Sequence, residues 1–423
     1  MAGRIFKTVS VTILGTLALS ACRKVYPPQP AEGGAVCPQP DIHWSSLAQS
    51  AWPMYRHDPQ HTGRSSRAGP REGRIVWTFS PQGAVQSAIT IAADGTICFG
   101  VVLEGERHST ALYAVDPSGR LKWRTPLPLL APESQPVILA DGRVAIAGEE
   151  LYLVGPDGQL VRSIGLGTHI SPFLNVGRDG VLYLVVDGDL VAVHPDDGVV
   201  WRISYGEYFD VLNPAMGLDG ETLYVFAKIA PGRYVLCAID ARAGTLRWRY
   251  PAAADSGLTI GAFPPVVDVN GNVYFAVGHD APPFETRVYG LYAVDRQGRL
   301  LWRYTGAAPL AQPALNAAGA LVFYRNLYPS RRRVLTSLDC QGDLRWEVDT
   351  STHLFNPVCD VHGVLYFCSE QGVYAYGQEG QMLWSVPFQG RVTRVSPPAL
   401  GKDGLLYVGT FAPPDGSRLY AIK

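Results

Sequence analysis

The sequence lacks the features that define the commonest enzyme and nucleic-acid-binding classes. Charged residues make up only 17% of the chain and the formal net charge is −1, so no basic field attracts nucleic acid. No apolar pattern of period 3.6 persists long enough to predict a helical fold. C-x-x-C, G-x-S-x-G and H-E-x-x-H motifs are absent. We therefore predict no nucleic-acid partner, no resident metal and no cofactor.

Cysteine is scarce and scattered. Apart from Cys22, the cysteines lie at positions 37, 98, 237, 340, 359 and 368. An exported chain could oxidise them. Only Cys359 and Cys368 are close in sequence, flanking a predicted hairpin turn, so the sequence leaves open a disulfide there or separately buried thiols.

The first residues have the pattern of an export signal. Arg4 and Lys7 precede an apolar stretch, 8–19, that is too short to span a bilayer as a helix. It ends in Leu-Ser-Ala-Cys22, which resembles a bacterial lipobox. The resemblance implies a signal peptide over residues 1–21 and a lipid attached to Cys22, with an ordinary signal peptide as the alternative. We expect this lipid to be the protein's membrane contact. Arg23 favours the outer membrane, facing either the periplasm or the cell surface.

A repeat fills most of the chain. After a Pro/Gly-rich tether at 22–51 and an entry segment at 52–74, four signals recur eight times. They are a polar residue before an apolar run, a tight turn such as Asp94-Gly95, an alternating strand such as 112–116, and a Gly turn leading to Trp. The tryptophans are Trp77, Trp123, Trp201, Trp248, Trp302, Trp346 and Trp384, with Arg162 where one is missing.

The spacing of the repeat predicts the fold. Successive Trp positions lie 38 to 54 residues apart, the length of a four-stranded propeller blade. The last repeat ends at 419–422 with the pattern of a third strand and has no fourth strand after it. Near the start, Trp77 lies in the pattern of a fourth strand that has no first three strands before it. Both are explained if the Trp77 strand completes the last blade and removes its free edge. We predict an all-β, monomeric, eight-bladed β-propeller of four-stranded antiparallel blades over residues 75–423, closed by an N-terminal strand.

The strand, Gly turn and x-x-Trp pattern resembles the pyrroloquinoline-quinone-type propeller repeat, and Trp52–Gly63 looks like the entry motif of such propellers. In that family the tryptophans pack between blades. Its dehydrogenases carry an adjacent Cys pair and an acidic metal site, which this sequence lacks, so an oxidoreductase is the weaker alternative. The chain is similar in plan to the propeller lipoprotein of the outer-membrane barrel-assembly machinery. This resemblance implies a non-catalytic cell-envelope scaffold that binds a protein or peptide.

Strand order places candidate ligand-binding residues. Turns between strands 1–2 and 3–4 share one end of the propeller, the short-turn face. The 2–3 loops and blade-to-blade loops share the other, the long-loop face, where loop length varies and where we expect binding. Residues at the starts of the inner strands should surround the axial opening: Gln86, Gln135, His169, Asn213, Gln312 and Asn356, with Arg391 and Arg394 nearby. They could bind a peptide, carbohydrate or small ligand, or only cap strand ends and hold water.

Further candidates lie in loops. Tyr208, Phe209 and Phe263 form a predicted aromatic group whose presence at the opening would favour a carbohydrate or small ligand. Arg331, Arg332 and Arg333, with Arg325, form a predicted basic patch that is either a solvated loop or a site for an acidic partner or lipid head groups. His57, Asp58 and His61 offer three local metal ligands, too few for us to predict a metal site.

Overall fold

The computed structural model describes residues 34–423 except 104–108, 129–133, 205–207, 210–213, 218, 231–232, 252–258, 261–262, 282–285, 306–311, 328–329, 331 and 413–415. The signal peptide, Cys22, Asn213 and Arg331 therefore lie outside the described residues. The strands of the described part form eight antiparallel sheets, which we number as blades 1 to 8 in chain order.

The first four blades follow one another along the chain. Blade 1 contains β2 (Gly83–Ile91), β3 (Ile97–Leu103), β4 (Ser109–Val115) and β5 (Leu121–Pro128). Blade 2 contains β6 (Val137–Ile138), β7 (Val144–Ala147), β8 (Leu151–Val154) and β9 (Leu160–Ile164). Blade 3 contains β10 (Asn175–Val176), β11 (Leu182–Val186), β12 (Asp189–His194) and β13 (Gly198–Ile203). Blade 4 contains β14 (Tyr208–Phe209), β15 (Ala215–Met216), β16 (Thr222–Ala230), β17 (Arg233–Asp240) and β18 (Leu246–Tyr250).

The remaining blades repeat this order until the ring closes. Blade 5 contains β19 (Thr259–Ile260), β20 (Val266–Val267), β21 (Val273–Ala281), β22 (Thr286–Val294) and β23 (Leu300–Thr305). Blade 6 contains β24 (Ala314–Leu315), β25 (Leu321–Leu327), β26 (Arg332–Leu338) and β27 (Leu344–Asp349). Blade 7 contains β28 (Phe355–Cys359), β29 (Leu365–Cys368), β30 (Gly372–Tyr376) and β31 (Met382–Pro387). Blade 8 contains β32 (Arg394–Val395), β33 (Ala399–Leu400), β34 (Leu406–Phe411), β35 (Leu419–Ile422) and β1 (Ile75–Phe79).

Both ends of the described chain meet in blade 8. Strand β1 runs antiparallel to β35, with Trp77 opposite Ala421 and Phe79 opposite Leu419. Arg74 and Lys423 exchange two backbone hydrogen bonds of 2.8 Å. The predicted eight-bladed propeller, closed by the N-terminal strand, is confirmed. Pairing with β1 covers the outer edge of β35, which would otherwise be free to template aggregation.

Each fourth strand carries a β-bulge just before its Trp position. In blade 1, Ala114 pairs with Trp123 and Val115 with Leu121, so Lys122 has no partner. The same register shift occurs in all eight blades. Because the extra residue bends the strand, the Trp turns toward the next blade, while the bulged residue is exposed in every blade but blade 6, where Arg345 is half-buried.

The tryptophans join neighbouring blades. The indole N–H of Trp77 donates to the Pro117 carbonyl of blade 1 at 3.0 Å, and that of Trp123 donates to Pro156 of blade 2 at 2.9 Å. Equivalent bonds run from Trp201, Trp248, Trp302 and Trp346 to Ala241, Arg296, Cys340 and Gln378. Arg162, at the position without Trp, donates instead from its guanidinium to the Asp196 carbonyl.

The indole of Trp384 is the exception, because its N–H is buried and has no hydrogen-bond partner among the described residues. It packs beside Gly73, at the point where the ring closes. There the continuous turn of the other blades is replaced by two separate chain segments, 71–74 and Lys423. The closure therefore lacks the acceptor that the other turns supply.

The cysteines do not form the hairpin bridge that the sequence left open. Cys359 and Cys368 are both free and buried, as is Cys98, and Cys237 is buried too. A disulfide instead joins Cys37 to Cys340, 303 residues apart in sequence. Sequence spacing could not identify this pair, because the propeller fold alone brings the two residues together.

Candidate functional site

The segment before β1 covers the short-turn face. Cys37 and Gln39 donate backbone hydrogen bonds to the turn of blade 6, at Ala318 and Ala317. The chain then crosses blade 3, where the Ser45 hydroxyl donates to the Arg178 carbonyl. It next reaches blade 2, where Leu47 forms an antiparallel β-bridge with Leu139. We call residues 34–51 the arm. The Cys37–Cys340 disulfide fixes its first residues to blade 6.

The entry segment, 52–74, reverses direction and runs inside the arm. Its carbonyls accept backbone hydrogen bonds from the inner-strand residues of successive blades: Ile91, Ile138, Met216, Val267, Leu315 and Cys359. In blade 3 the Asn175 side chain donates to the Pro59 carbonyl at 2.8 Å. The segment thus bonds to each of blades 1 to 7 before it becomes β1 in blade 8.

A buried arginine lies at the centre of the entry segment. The side chain of Arg56, which is 1% exposed, donates to the carbonyls of Pro313 and Pro357, the prolines at the starts of two inner strands. Its Nε also donates to the His61 carbonyl at 3.4 Å. Burial lowers the pKa of Arg56 to about 10, while Tyr55 and Asp58 act in the opposite direction. Arg56 therefore links the axis to blades 6 and 7.

Asp58 and His61 complete this buried group. Asp58 accepts from the Thr62 backbone N–H at 2.9 Å and from the Thr62 hydroxyl. Its pKa is lowered because these bonds and His57 outweigh the effect of burial. Burial lowers the pKa of His61 to about 4, so this ring is neutral at pH 7. Within the described residues, no three His, Cys, Asp or Glu side chains are arranged to hold a metal ion.

The residues that the sequence placed around the axial opening differ in exposure. Gln312 is fully buried, accepts from the Tyr55 hydroxyl at 3.0 Å and donates to the Pro264 carbonyl at 3.1 Å. Gln135 is buried as well, whereas His169 is exposed and its Nδ1 lies 3.4 Å from Asp187. The side chains of Gln86 and Asn356 are outside the description, as is Asn213. Gln312 thus already bonds to the entry segment, and ligand binding by the ring stays a prediction.

The long-loop face is uneven in height. Strands β16 and β21 have nine residues each, whereas β7 in blade 2 has four. At about 3.3 Å per residue, the second strands of blades 4 and 5 are longer than that of blade 2 by about 16 Å. Short added strands, β14 and β19, pair with these extensions, and β32 pairs similarly with β34. The loops that the sequence marked as long therefore contain ordered strands.

The predicted aromatic group lies on this raised side. Tyr208 and Phe209 form β14, with Tyr208 opposite Lys228, and Phe263 is half-buried just before β20. The side chains of Tyr208 and Phe209 are outside the description, so their packing stays a prediction. Arg391 and Arg394 are exposed, Arg394 lying in β32 opposite Phe411.

The predicted basic patch is smaller than the sequence suggested. Arg332 is exposed and forms two 2.9 Å hydrogen bonds with Asp349, and Arg333 donates to the Ser351 carbonyl. Including Arg325 was wrong: this side chain is buried, pairs with Glu347 and lies over the Tyr304 ring at 4.9 Å. The Arg325 side chain is buried because its position in β25 faces blade 5, where Tyr304 lies.

The comparisons with known proteins agree with this architecture. A family model described as outer membrane protein assembly factor BamB matches residues 186–423, more than half of the chain. The chain belongs to this family. The match covers β12 to the C-terminus, which includes most of the propeller. A search of curated proteins finds no match.

Two solved structures resemble part of this chain at low sequence identity. An oligogalacturonate lyase in complex with manganese is 14% identical, with 66% of this chain and 85% of that chain covered and a TM-score of 0.45. The Cps50 (Swd1) β-propeller domain of Myceliophteria thermophila is 9% identical, with 83% and 100% covered and a TM-score of 0.47.

The arrangement offers surfaces for binding. The short-turn face is occupied by the protein's own arm and entry segment, while the long-loop face combines a raised side with a low side. The described residues contain no helix that is long and apolar enough to cross a bilayer. Family membership suggests the cell envelope.

Proposed function

We propose that this chain is a non-catalytic scaffold of the cell envelope that binds another protein or peptide on its long-loop face. Membership of the BamB family supports a role in the envelope. An eight-bladed propeller supplies a rigid frame from which loops can contact a macromolecule. The partner's identity is set by the loops rather than by the fold.

The observation that carries this proposal is the difference between the two faces. The inner-strand ends at the short-turn face already bond to the entry segment in blades 1 to 7. The long-loop face instead carries the added strands β14, β19 and β32. Because bonded groups cannot bind a partner without first losing those bonds, the long-loop face is the better surface for one.

The disulfide supports export. Cys37 and Cys340 are joined, and disulfides persist in oxidising compartments such as the bacterial periplasm. The arm begins beside blade 6, where the Ala35 backbone N–H donates to Asp339 at 2.8 Å. A lipid on Cys22 would anchor the propeller through residues 22–33, the part of the predicted tether that precedes the arm, with the membrane being contacted by the lipid alone.

Site-specific cross-linking in the native envelope tests the proposal. Photo-reactive probes at Arg332 and Tyr208 on the long-loop face should capture a defined protein, identified by mass spectrometry. A probe at Gln297, an exposed residue in a short turn of blade 5, is the matched control and should capture little. Capture by Gln297 alone would contradict our choice of face.

A further inference from the structure

The first part of the arm lies on the propeller without being buried in it. We call residues 34–42 the strap. Within it only Gln39 is buried, and the half-buried Ile42 packs against the core. Trp44 and Leu47, which follow the strap, are each 3% exposed and belong to the core itself. The strap therefore adds little apolar surface to the core, and the arm becomes part of the fold at Trp44.

Hydrogen bonds and one disulfide hold the strap in place. Its backbone N–H groups at Ala35, Cys37 and Gln39 donate to blade 6 at 2.8–2.9 Å. The Gln39 side chain accepts from the Val269 backbone N–H of blade 5 at 3.0 Å. Each of these bonds replaces a bond to water, so its net contribution is small. The covalent link is thus the strongest constraint on the strap.

The disulfide joins the strap to a fixed turn of blade 6. The Cys340 carbonyl accepts from the Trp302 indole N–H at 3.0 Å, and Gly342 of the same turn lies against that indole. Both Cys37 and Cys340 are half-buried, so a reductant can reach the bond. Breaking it would leave the turn in place and free the strap.

The strap covers a buried arginine of the entry segment. Arg64 is 4% exposed, and its Nη2 donates to the Pro40 carbonyl of the strap at 3.0 Å. Its Nη1 is buried and has no hydrogen-bond partner among the described residues. Because a guanidinium carries five N–H donors, Arg64 can bind further acceptors once it is uncovered.

A cavity of about 320 Å³ lies between the arm and the entry segment. Asp41 and Ile42 of the strap line it, together with His57 and Arg67 of the entry segment. The hydroxyl of Ser50, another lining residue, is buried without a hydrogen-bond partner in the described part of the chain. Since buried polar groups are normally bonded, the arm packs incompletely here. Lifting the strap would open the cavity.

We propose that the strap is a redox-controlled cover of the short-turn face, latched by the Cys37–Cys340 disulfide. A dithiol reductant supplies two electrons and two protons, becomes a cyclic disulfide and leaves Cys37 and Cys340 as thiols. The strap then lifts as far as Trp44, opening the cavity and uncovering Arg64. Exchange with an oxidised dithiol reverses the step. The inference does not depend on the partner proposed for the long-loop face.

The opening is local, because the contacts beyond the strap do not involve it. The entry segment still accepts hydrogen bonds from the inner strands. The Trp44 indole N–H donates to the Gln60 side chain at 3.2 Å, and the Arg178 guanidinium lies over the Trp44 ring at 4.5 Å. These contacts hold Trp44 as the hinge while the propeller stays closed.

Hydrogen–deuterium exchange read by mass spectrometry tests the latch on oxidised and dithiothreitol-reduced protein. The amides of Cys37 and Gln39 should exchange at least about tenfold faster after reduction, while amides of the blade strands stay protected. Re-oxidation should restore the slow exchange. Exchange at Cys37 and Gln39 that is equally slow in both states would overturn the proposal.

Phenylglyoxal, which modifies accessible arginine side chains, tests the cover. Arg64 should react about tenfold faster in the reduced protein, since opening exposes it. Arg56 is an internal control: it lies in the same segment, is 1% exposed and donates to the Pro313 and Pro357 carbonyls, so it should stay unmodified in both states. An Arg64 that remains unreactive after reduction would contradict the cover.

Two variants separate the latch from other effects of the reductant. Cys37→Ser combined with Cys340→Ser should show the open state with or without dithiothreitol. Cys98→Ala is the matched control, because Cys98 is free and buried in blade 1; this variant should keep the response of Arg64 to reduction. If the blade amides lose protection together with the strap, in the reduced parent or in the double variant, the disulfide stabilises the whole fold and the latch is refuted.

Discussion

Replacing Gly119 with alanine measures how much one blade-to-blade tryptophan contact stabilises the ring. Gly119 has φ +87°, and a Cβ there would lie 2.8 Å from Cδ2 of Trp77. The substitution therefore strains the backbone and also displaces an indole that belongs to the closing strand β1. Gly180→Ala is the matched control, because Gly180 has φ +84° and open space around the added carbon.

The two costs can be estimated separately. A left-handed backbone costs alanine about 1 kcal/mol, once its smaller loss of chain entropy is included. Displacing Trp77 weakens its 3.0 Å bond to the Pro117 carbonyl and its packing, which adds about 2 kcal/mol. We expect Gly119→Ala to lower the free energy of unfolding by about 3 kcal/mol and Gly180→Ala by about 1 kcal/mol.

Urea denaturation followed by tryptophan fluorescence measures this difference. The midpoint should shift further for Gly119→Ala at an unchanged m-value. If the two variants lose the same free energy of unfolding, the claim is refuted. Glycine at 119 would then be needed for the turn alone and not to leave room for the indole of Trp77.

Two other predictions concern the entry segment and the arm. The pKa of His61 is about 4 in the folded protein, against an ordinary 6.5, and its buried neighbours are Arg56 and Asp58. Because the unfolded state binds the proton at a higher pH than the folded state, the free energy of unfolding should fall by about 3 kcal/mol as the pH drops from 6.5 to 4. His61→Asn should make this dependence on pH weaker in urea titrations. An unchanged dependence would contradict the low pKa of His61. Replacing Cys37 and Cys340 together with serine should cost about 3–5 kcal/mol, measured by the same denaturation, and reducing agent should lower the stability of the parent protein but not of the variant. A parent protein insensitive to reduction would argue against the disulfide.

The blade count and the closure could be predicted because their signals are local. A Gly turn, a Trp and an alternating strand lie within a few residues of one another, and their order repeats eight times. The lone Trp77 strand and the unfinished last blade had to pair, since an unpaired edge on each side would be unfavourable.

The candidate site was only partly predictable. The sequence located the starts of the inner strands, but it did not show that Gln312 bonds to Tyr55 or that Arg325 pairs with Glu347.

The amino-acid sequence by itself determined the period of the repeat, the number of blades and the strand that closes them, because short-range spacing encodes each of these. Only the tertiary structure decided the Cys37–Cys340 pairing, the burial of Arg56 at the axis and the pairing of the buried Arg325 with Glu347. Those contacts join residues distant in the chain, and their geometry exists only once the ring has closed.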